Sequence, residues 1–511
     1  MATSQLIDAP AIFCKSHVIA IIVGCQTYPF TGLIQWVYLK LSFPNMSLPD
    51  TLMNMSEPVR KRSKMRDMTR GSIPRNLWHL SWPQMAESFF SVADQLADLF
   101  WAGRVGYKAI AGLGVSQTYI MMLMTARMGL DASMRAMISR AIGAGETSYA
   151  NHVLVQSIVL TLAWSLVIGI PGIIFTDFLL GIVGVSEEVI LITSGYMKWQ
   201  FIAMSIMSFQ RLTGGALQAA GDSITPLKAA TVSRVIHLVS TPFLIFGWFV
   251  LPQMDLAGAG LANVIAQALG LSINLYVLFR GTSRLKLTFV GYRIDFSLMW
   301  RLIRVGVPAA LTGMQRSSSQ LILLIVVASF GDGPAAAFAL SRRAENVVNH
   351  TSRGLGRAGG ALAGQNLGAG HIERAKSTLS WAIVYSAVLS AFAMVIFFVF
   401  PNQIAEFFSD SPEFVDNTAA WIWILAFATF PMSSVQVFTQ GIANTGATMA
   451  PMIITVSTMW LLEVPIAIIL AQKTSLGSLG VPWGVVIGNS VRAIAFFVYF
   501  ARGTWLKPGM M

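Results

Sequence analysis

The chain carries one internal repeat, at a spacing of 225 residues. Pro83 and Pro308 open matching apolar runs. The stretch AIGAGETSYA from Ala141 matches NLGAGHIERA from Asn366. Gly221 and Pro226 in AAGDSITP match Gly446 and Pro451 in NTGATMAP, and Ser186 and Glu188 match Ser411 and Glu413. Landmarks in constant register mean two copies of one long unit. Such a unit is far outside the roughly 20–50 residues of solenoid repeats. In an apolar chain, duplicated halves point to a transporter whose binding site lies between or within them.

Apolar the chain is: 55% of its 511 residues are hydrophobic and 11% charged, against about 25% charged in soluble domains. It reads as an all-α integral membrane protein embedded in a lipid bilayer. A closed β-barrel would alternate apolar and polar residues, whereas these runs are continuous and about 20 residues long, as spanning helices require. The net charge of +12 gathers in short loops beside apolar spans. That is orientation chemistry, and it argues against nucleic acid as a partner. Cys14 and Cys25 both precede the repeats, so no disulfide framework or cysteine metal site holds the body together. There is no Walker loop to cradle a phosphate, and the six histidines form no metal-ligand cluster. An enzyme and a cofactor are therefore not expected. Energy then comes from an ion gradient, where one charge crossing 100 mV yields about 2.3 kcal/mol.

Twelve spans are expected. The first half gives 82–103, 107–129, 152–174, 188–212, 228–250 and 256–280; the second gives 304–330, 335–362, 378–401, 414–440, 449–471 and 479–501. Six spans per half is even, so the halves are parallel repeats rather than inverted ones. The expected organisation is a tail at 1–80, an N-lobe at 81–280, a basic linker at 281–303, a C-lobe at 304–503 and a short tail at 504–511. Residues 1–80 have no counterpart in the second half. They are expected to be a disordered tail or sequence upstream of the true start, with a weak extra span or signal-like segment as alternatives.

Basic residues crowd one side: PVRKRSKMRDMTRGSIPR, then Arg280, Arg284, Lys286, Arg293, Arg301 and Arg304, then Arg374, Lys376, Arg502 and Lys507. The opposite loops hold Asp177, Glu187, Glu188, Glu406, Asp410, Glu413 and Asp416, with Arg104 and Lys108 as exceptions. Lysine and arginine mark the cytoplasmic face, so both termini are expected inside a cell membrane crossed many times.

At four places the chain resembles the multidrug and toxic compound extrusion (MATE) transporters. They are ADLFWAGRVG (97–106), SRAIGAGETSYA (139–150), GALQAAGDSITP (215–226) and GQNLGAGHIERA (364–375). The likeness runs from about Trp82 to Lys507. It implies two six-helix lobes in a V around a central cavity, and cation-coupled export of small organic, often cationic, compounds by alternating access. A monomer is expected. An exporter of organic anions or lipid-linked carriers, and a non-transporting receptor or scaffold, are the competing readings.

Asp98 is the sharpest site candidate, because a carboxylate within an apolar span normally faces a cavity or a partner. The resemblance assigns it to the cation or proton site of the N-lobe. Asp94 lies one turn earlier on the same face, and neighbouring carboxylates resist ionising together, which suits proton exchange. In the fifth span, many relatives place an asparagine and then an aspartate where this chain has His237 and Thr241. Asn263 stands where threonine is frequent. These make a poor hard-cation site, and His237 can titrate near physiological pH, so protons are preferred to sodium as the coupling ion. Arg316 and its neighbour Gln315, with Glu345 and Glu463, are candidates for the substrate cavity. Arg316 is expected to pair with an intramembrane acid, with an anionic substrate as the sharper alternative. Asp131 and Arg135, four residues apart, are spaced to pair. The GAG turns at Gly143–Gly145 and Gly368–Gly370 resemble phosphate loops only superficially and read as helix ends closed by left-handed glycine.

Overall fold

The computed structural model describes residues 67–248, 252–409 and 411–506; within these, the side chains of 92–97, 99 and 107 are left aside. Twelve long helices follow one another. The N-lobe is α1 (Ile73–Val105), α2 (Tyr107–Ala144), α3 (Thr147–Ile174), α4 (Glu187–Ala219), α5 (Ile224–Phe246) and α6 (Asp255–Arg280). The C-lobe is α7 (Phe296–Ala328), α8 (Asp332–Gly368), α9 (Ile372–Val399), α10 (Pro412–Ala426 and Thr429–Ala443), α11 (Met449–Lys473) and α12 (Gly480–Ala501). The repeat is visible in the helix starts: Tyr107 and Asp332, Thr147 and Ile372, Glu187 and Pro412, Ile224 and Met449, and Asp255 and Gly480 all stand 225 apart. Even the short helices Thr176–Ile182 and Pro401–Glu406 correspond.

Several expected boundaries shift. Helix α1 begins at Ile73 rather than 82, α2 runs to Ala144 rather than 129, and α7 begins at Phe296 rather than 304. Apolar windows stop where a polar face begins, whereas the backbone hydrogen bonding continues. The linker is correspondingly short. It lies on α3, where Asn151 Nδ2 donates to Thr288 O (2.8 Å) and Gln156 Nε2 to Arg293 O (2.6 Å). Of the tail expected at 1–80, residues 1–66 lie outside the described residues. The remainder belongs to the packed body, with Met68, Leu77 and Leu80 buried.

Among the described residues, eight helices are long and apolar enough to cross a membrane singly, and bent α10 makes a ninth. Helices α7 and α8 fall short, so the expectation of an apolar run in every span is corrected there. They carry Arg316, Arg342, Glu345, Arg353 and Arg357 and pack on the opposite lobe: α8 lies against α1 and α2, and α7 against α2. Two proline effects break the symmetry between halves. Pro431 lacks the N–H that would bridge the break, and α10 bends there by 57°. A π-turn at Met459–Glu463 precedes Pro465 in α11.

The first helix of each repeat starts in the core of the other. Met68, Leu77 and Leu80 are buried with Leu355, Leu362, Phe438 and Phe496 of the C-lobe. Leu298 and Leu302 of α7 are buried with Met134, Ile138 and Leu217 of the N-lobe. Further along, Leu323 and Val327 of α7 enter the core of their own lobe. The lobes therefore interlock at the basic end, where α1 and α7 begin.

That end is closed by close backbone approaches obeying the internal two-fold. A Cβ on Gly143 would sit 1.9 Å from Gln365 O, and one on Gly368 would sit 2.0 Å from Arg140 O. Those two contacts exchange under the 225-residue offset. Gly129 similarly abuts Gly306, and Gly354 abuts Gln84 and Met85. Gln365 Nε2 adds a hydrogen bond to Ala219 O (2.7 Å). Reciprocal contacts of this kind require an axis running along the helices, as in parallel repeats. The second glycine of each turn, Gly145 (φ 82°) or Gly370 (φ 79°), adopts the left-handed conformation expected of it.

Candidate functional site

Two polar centres sit inside the lobes. In the N-lobe, α1 and α5 bring Asp98 and His237 together: Nε2 of the ring lies 3.6 Å from a carboxylate oxygen, with the side chains 14% and 4% exposed. Burial this deep requires the two groups to be considered as one unit, since either alone would be a costly isolated charge. Thr241, one turn on, is buried and turns its hydroxyl to His237 O (2.6 Å). Asn263 is engaged differently: its Nδ2 donates to Gln200 Oε1 (2.9 Å), and its Oδ1 accepts from Gln267 Nε2 (3.0 Å). The side chain of Asp94 lies outside the described residues.

In the C-lobe, Glu463 and Arg492 form a buried pair at 2.6 Å. Arg492 also donates through Nε to Thr458 Oγ1 (2.8 Å) and faces Asn489 Oδ1 at 3.4 Å. Gly488 makes this possible: a Cβ there would lie 2.4 Å from that of Glu463, so only glycine lets α12 approach the π-turn so closely. Glu345 is buried against Arg342, one turn away. Gln315 accepts from the Trp460 indole. The two carboxylates read as cavity candidates are thus each held by an arginine, because a buried carboxylate needs a counter-charge.

Arg316, by contrast, has no ion pair or side-chain hydrogen bond among the described residues, although Glu345, held by Arg342, lies within its field. The expected Asp131–Arg135 pair is replaced. Asp131 receives Arg127 through both oxygens at 2.8 Å, and Arg135 donates to Gln218 Oε1 at 2.5 Å while lying over Gly215. Of the two exceptions at the acidic end, Lys108 pairs with Glu188.

Between the lobes lies a concentration of cations that the sequence reading did not assemble. His350 of α8 lies within the fields of Arg353, Arg357 and Arg316 of its own lobe and of Arg211 across the cleft. Arg135 of α2 faces Arg357 in the same way. Arg211 is exposed, and Arg316, His350, Arg353 and Arg357 are half-buried, so they border accessible space rather than packed core. Each alone reads as a snorkelling or orienting residue. Only the spacing of His350, Arg353 and Arg357, which places them on one face of a helix, hinted at more.

A family model described as MatE matches residues 83–243 and 308–469. Over 443 residues the chain is 25% identical to "Probable multidrug resistance protein YoeA" of Bacillus subtilis (strain 168), covering 86% of this chain and 96% of that protein. It is 24% identical over 398 residues to the "FAD transporter" of Shewanella oneidensis, covering 77% and 87%. Among solved structures, "Crystal structure of MATE in the bent conformation" superposes with a TM-score of 0.80 at 22% identity, over 86% of this chain and 97% of that one.

Proposed function

Because the chain belongs to the MatE family, we propose that it is a secondary active exporter of small organic compounds, driven by ion entry and working by alternating access between its lobes. The observation that carries the coupling is the buried Asp98–His237 pair. Such a pair can hold two, one or no protons, and its net charge changes by one at each step. A partner helix offering an imidazole and a hydroxyl supplies a proton acceptor and few hard oxygens, so protons rather than sodium are the coupling ion. In this reading the basic end faces the cytoplasm. The seal there holds the cavity shut on that side while cargo leaves on the other.

The test is flux through proteoliposomes under an imposed proton gradient or an imposed sodium gradient. Proton-driven flux should vanish in Asp98→Asn, and in His237→Gln its pH dependence should shift while the protein stays folded. Sodium-driven flux surviving in His237→Gln would defeat the proton reading.

A cationic cargo is what the family resemblance implies. The arginines between the lobes favour an anionic one instead, and one relative of comparable similarity is named for a dinucleotide that carries a pyrophosphate.

A further inference from the structure

The cations between the lobes share a level. Arg211, Arg135 and Arg357 lie eight, nine and eleven residues short of the basic ends of α4, α2 and α8. At 1.5 Å per residue this is about 12–17 Å from the basic end of the helix in each case. Arg353 and His350 stand one and two turns higher on α8, and Arg316 lies within range of Arg353. The carboxylates nearby do not balance them. Asp131 is bound by Arg127 and Glu345 by Arg342, which leaves Glu87, an acceptor from Gln218, as one counter-charge beside Arg135 and Arg211 and none beside Arg353. Chains of like charge facing one another across a cleft repel unless a counter-charge fills it. Guanidinium groups match the oxygens of phosphate or carboxylate two at a time.

We infer that the floor of the inter-lobe cleft is a binding site for a multiply charged organic anion, bearing phosphate or several carboxylates, held at once by Arg211 of one lobe and Arg353 and Arg357 of the other. This deepens the exporter reading by naming the cargo's chemistry. It adds a consequence: the anion is the counter-charge that lets the two lobes stand together above the seal. Bound anion therefore strengthens the closed basic end, and its departure leaves cations from the two lobes facing each other with nothing between.

The inference is tested without any gradient, on purified full-length protein in detergent, with inorganic pyrophosphate as the probe. Thermal unfolding is followed at fixed ionic strength as pyrophosphate replaces chloride. Pyrophosphate should raise the midpoint by several degrees in a saturable way, and ethidium should not. Arg211→Gln and Arg353→Gln, one from each lobe, should each weaken the apparent affinity about tenfold or more, while Arg353→Lys should lose less. Arg502→Gln, at the exposed end of the chain, should match the unaltered protein. Equal stabilisation by chloride would overturn the inference, as would a pyrophosphate effect indifferent to either glutamine substitution. Loss in only one of the two would overturn the shared site. Because no transport is measured, a protein that bound pyrophosphate but moved nothing would instead sink the exporter reading.

Discussion

At the scale of single residues, buried ionisable groups follow one rule: each acquires a partner close at hand, or it faces open space. Glu463 has Arg492, Glu345 has Arg342, Asp131 has Arg127, and Asp98 has His237. Removing one member leaves the other stranded. Arg492→Met is expected to cost about 3–5 kcal/mol, and adding Glu463→Gln should recover most of it. Unfolding midpoints of the single and double variants decide the matter; equal midpoints would show that the pair is not coupled. The sequence made Asp98 and His237 visible, because a lone carboxylate in an apolar run is conspicuous. It pointed Asp131 to the wrong partner, Arg135 in place of Arg127. Both stand four residues away, and the choice is made by Gln218, which arrives from another helix to take Arg135.

At the scale of helices, some ends were legible and the break was not. The GAG turns marked the ends of α2 and α8, whereas the span expected to be continuous over 414–440 bends at Pro431. The start of α7 was hidden, because the apolar pattern begins a full turn or two after the cap. There Asp295 accepts from the backbone N–H of Leu298 at 2.9 Å. That hydrogen bond, with a smaller contribution from His152, holds the Asp295 carboxyl below its ordinary value. A lowered value means that the ionised cap stabilises the helix at neutral pH, and that this is lost as the pH falls through the native value, below about 4. Asparagine caps helices about as well as aspartate, so Asp295→Asn should leave α7 unchanged at neutral pH and remove the acid-dependent part. Hydrogen exchange at the Leu298 amide, followed from pH 7 to pH 3, reads this directly. Identical profiles for the two proteins would exclude the cap as an acid-sensitive point.

At the scale of the molecule, the repeat announced two lobes but not how they touch. A periodicity shows that a helix has an apolar face and is silent on which lobe covers it. The seal at the basic end rests on glycines whose neighbours belong to the other half of the chain. Gly368→Val should press on the Arg140 carbonyl. Overpacking costs of about 1–3 kcal/mol would shift the closed-to-open ratio by roughly five- to 150-fold. A cysteine at Ser139, buried beside Gly364, should then react with an impermeant maleimide about fivefold faster or more than in the Gly368 background. Unchanged labelling would show that the seal does not depend on that approach.

The crossed roots of α1 and α7 bear on the self-sufficiency of each half. A single repeat standing alone would leave Met68, Leu77 and Leu80 bare, since the surfaces that bury them belong to the other copy. The same holds in reverse for Leu298 and Leu302. A half-length chain of this architecture would complete its interior only by exchanging its leading helix with a twin, an exchange that here takes place within one polypeptide.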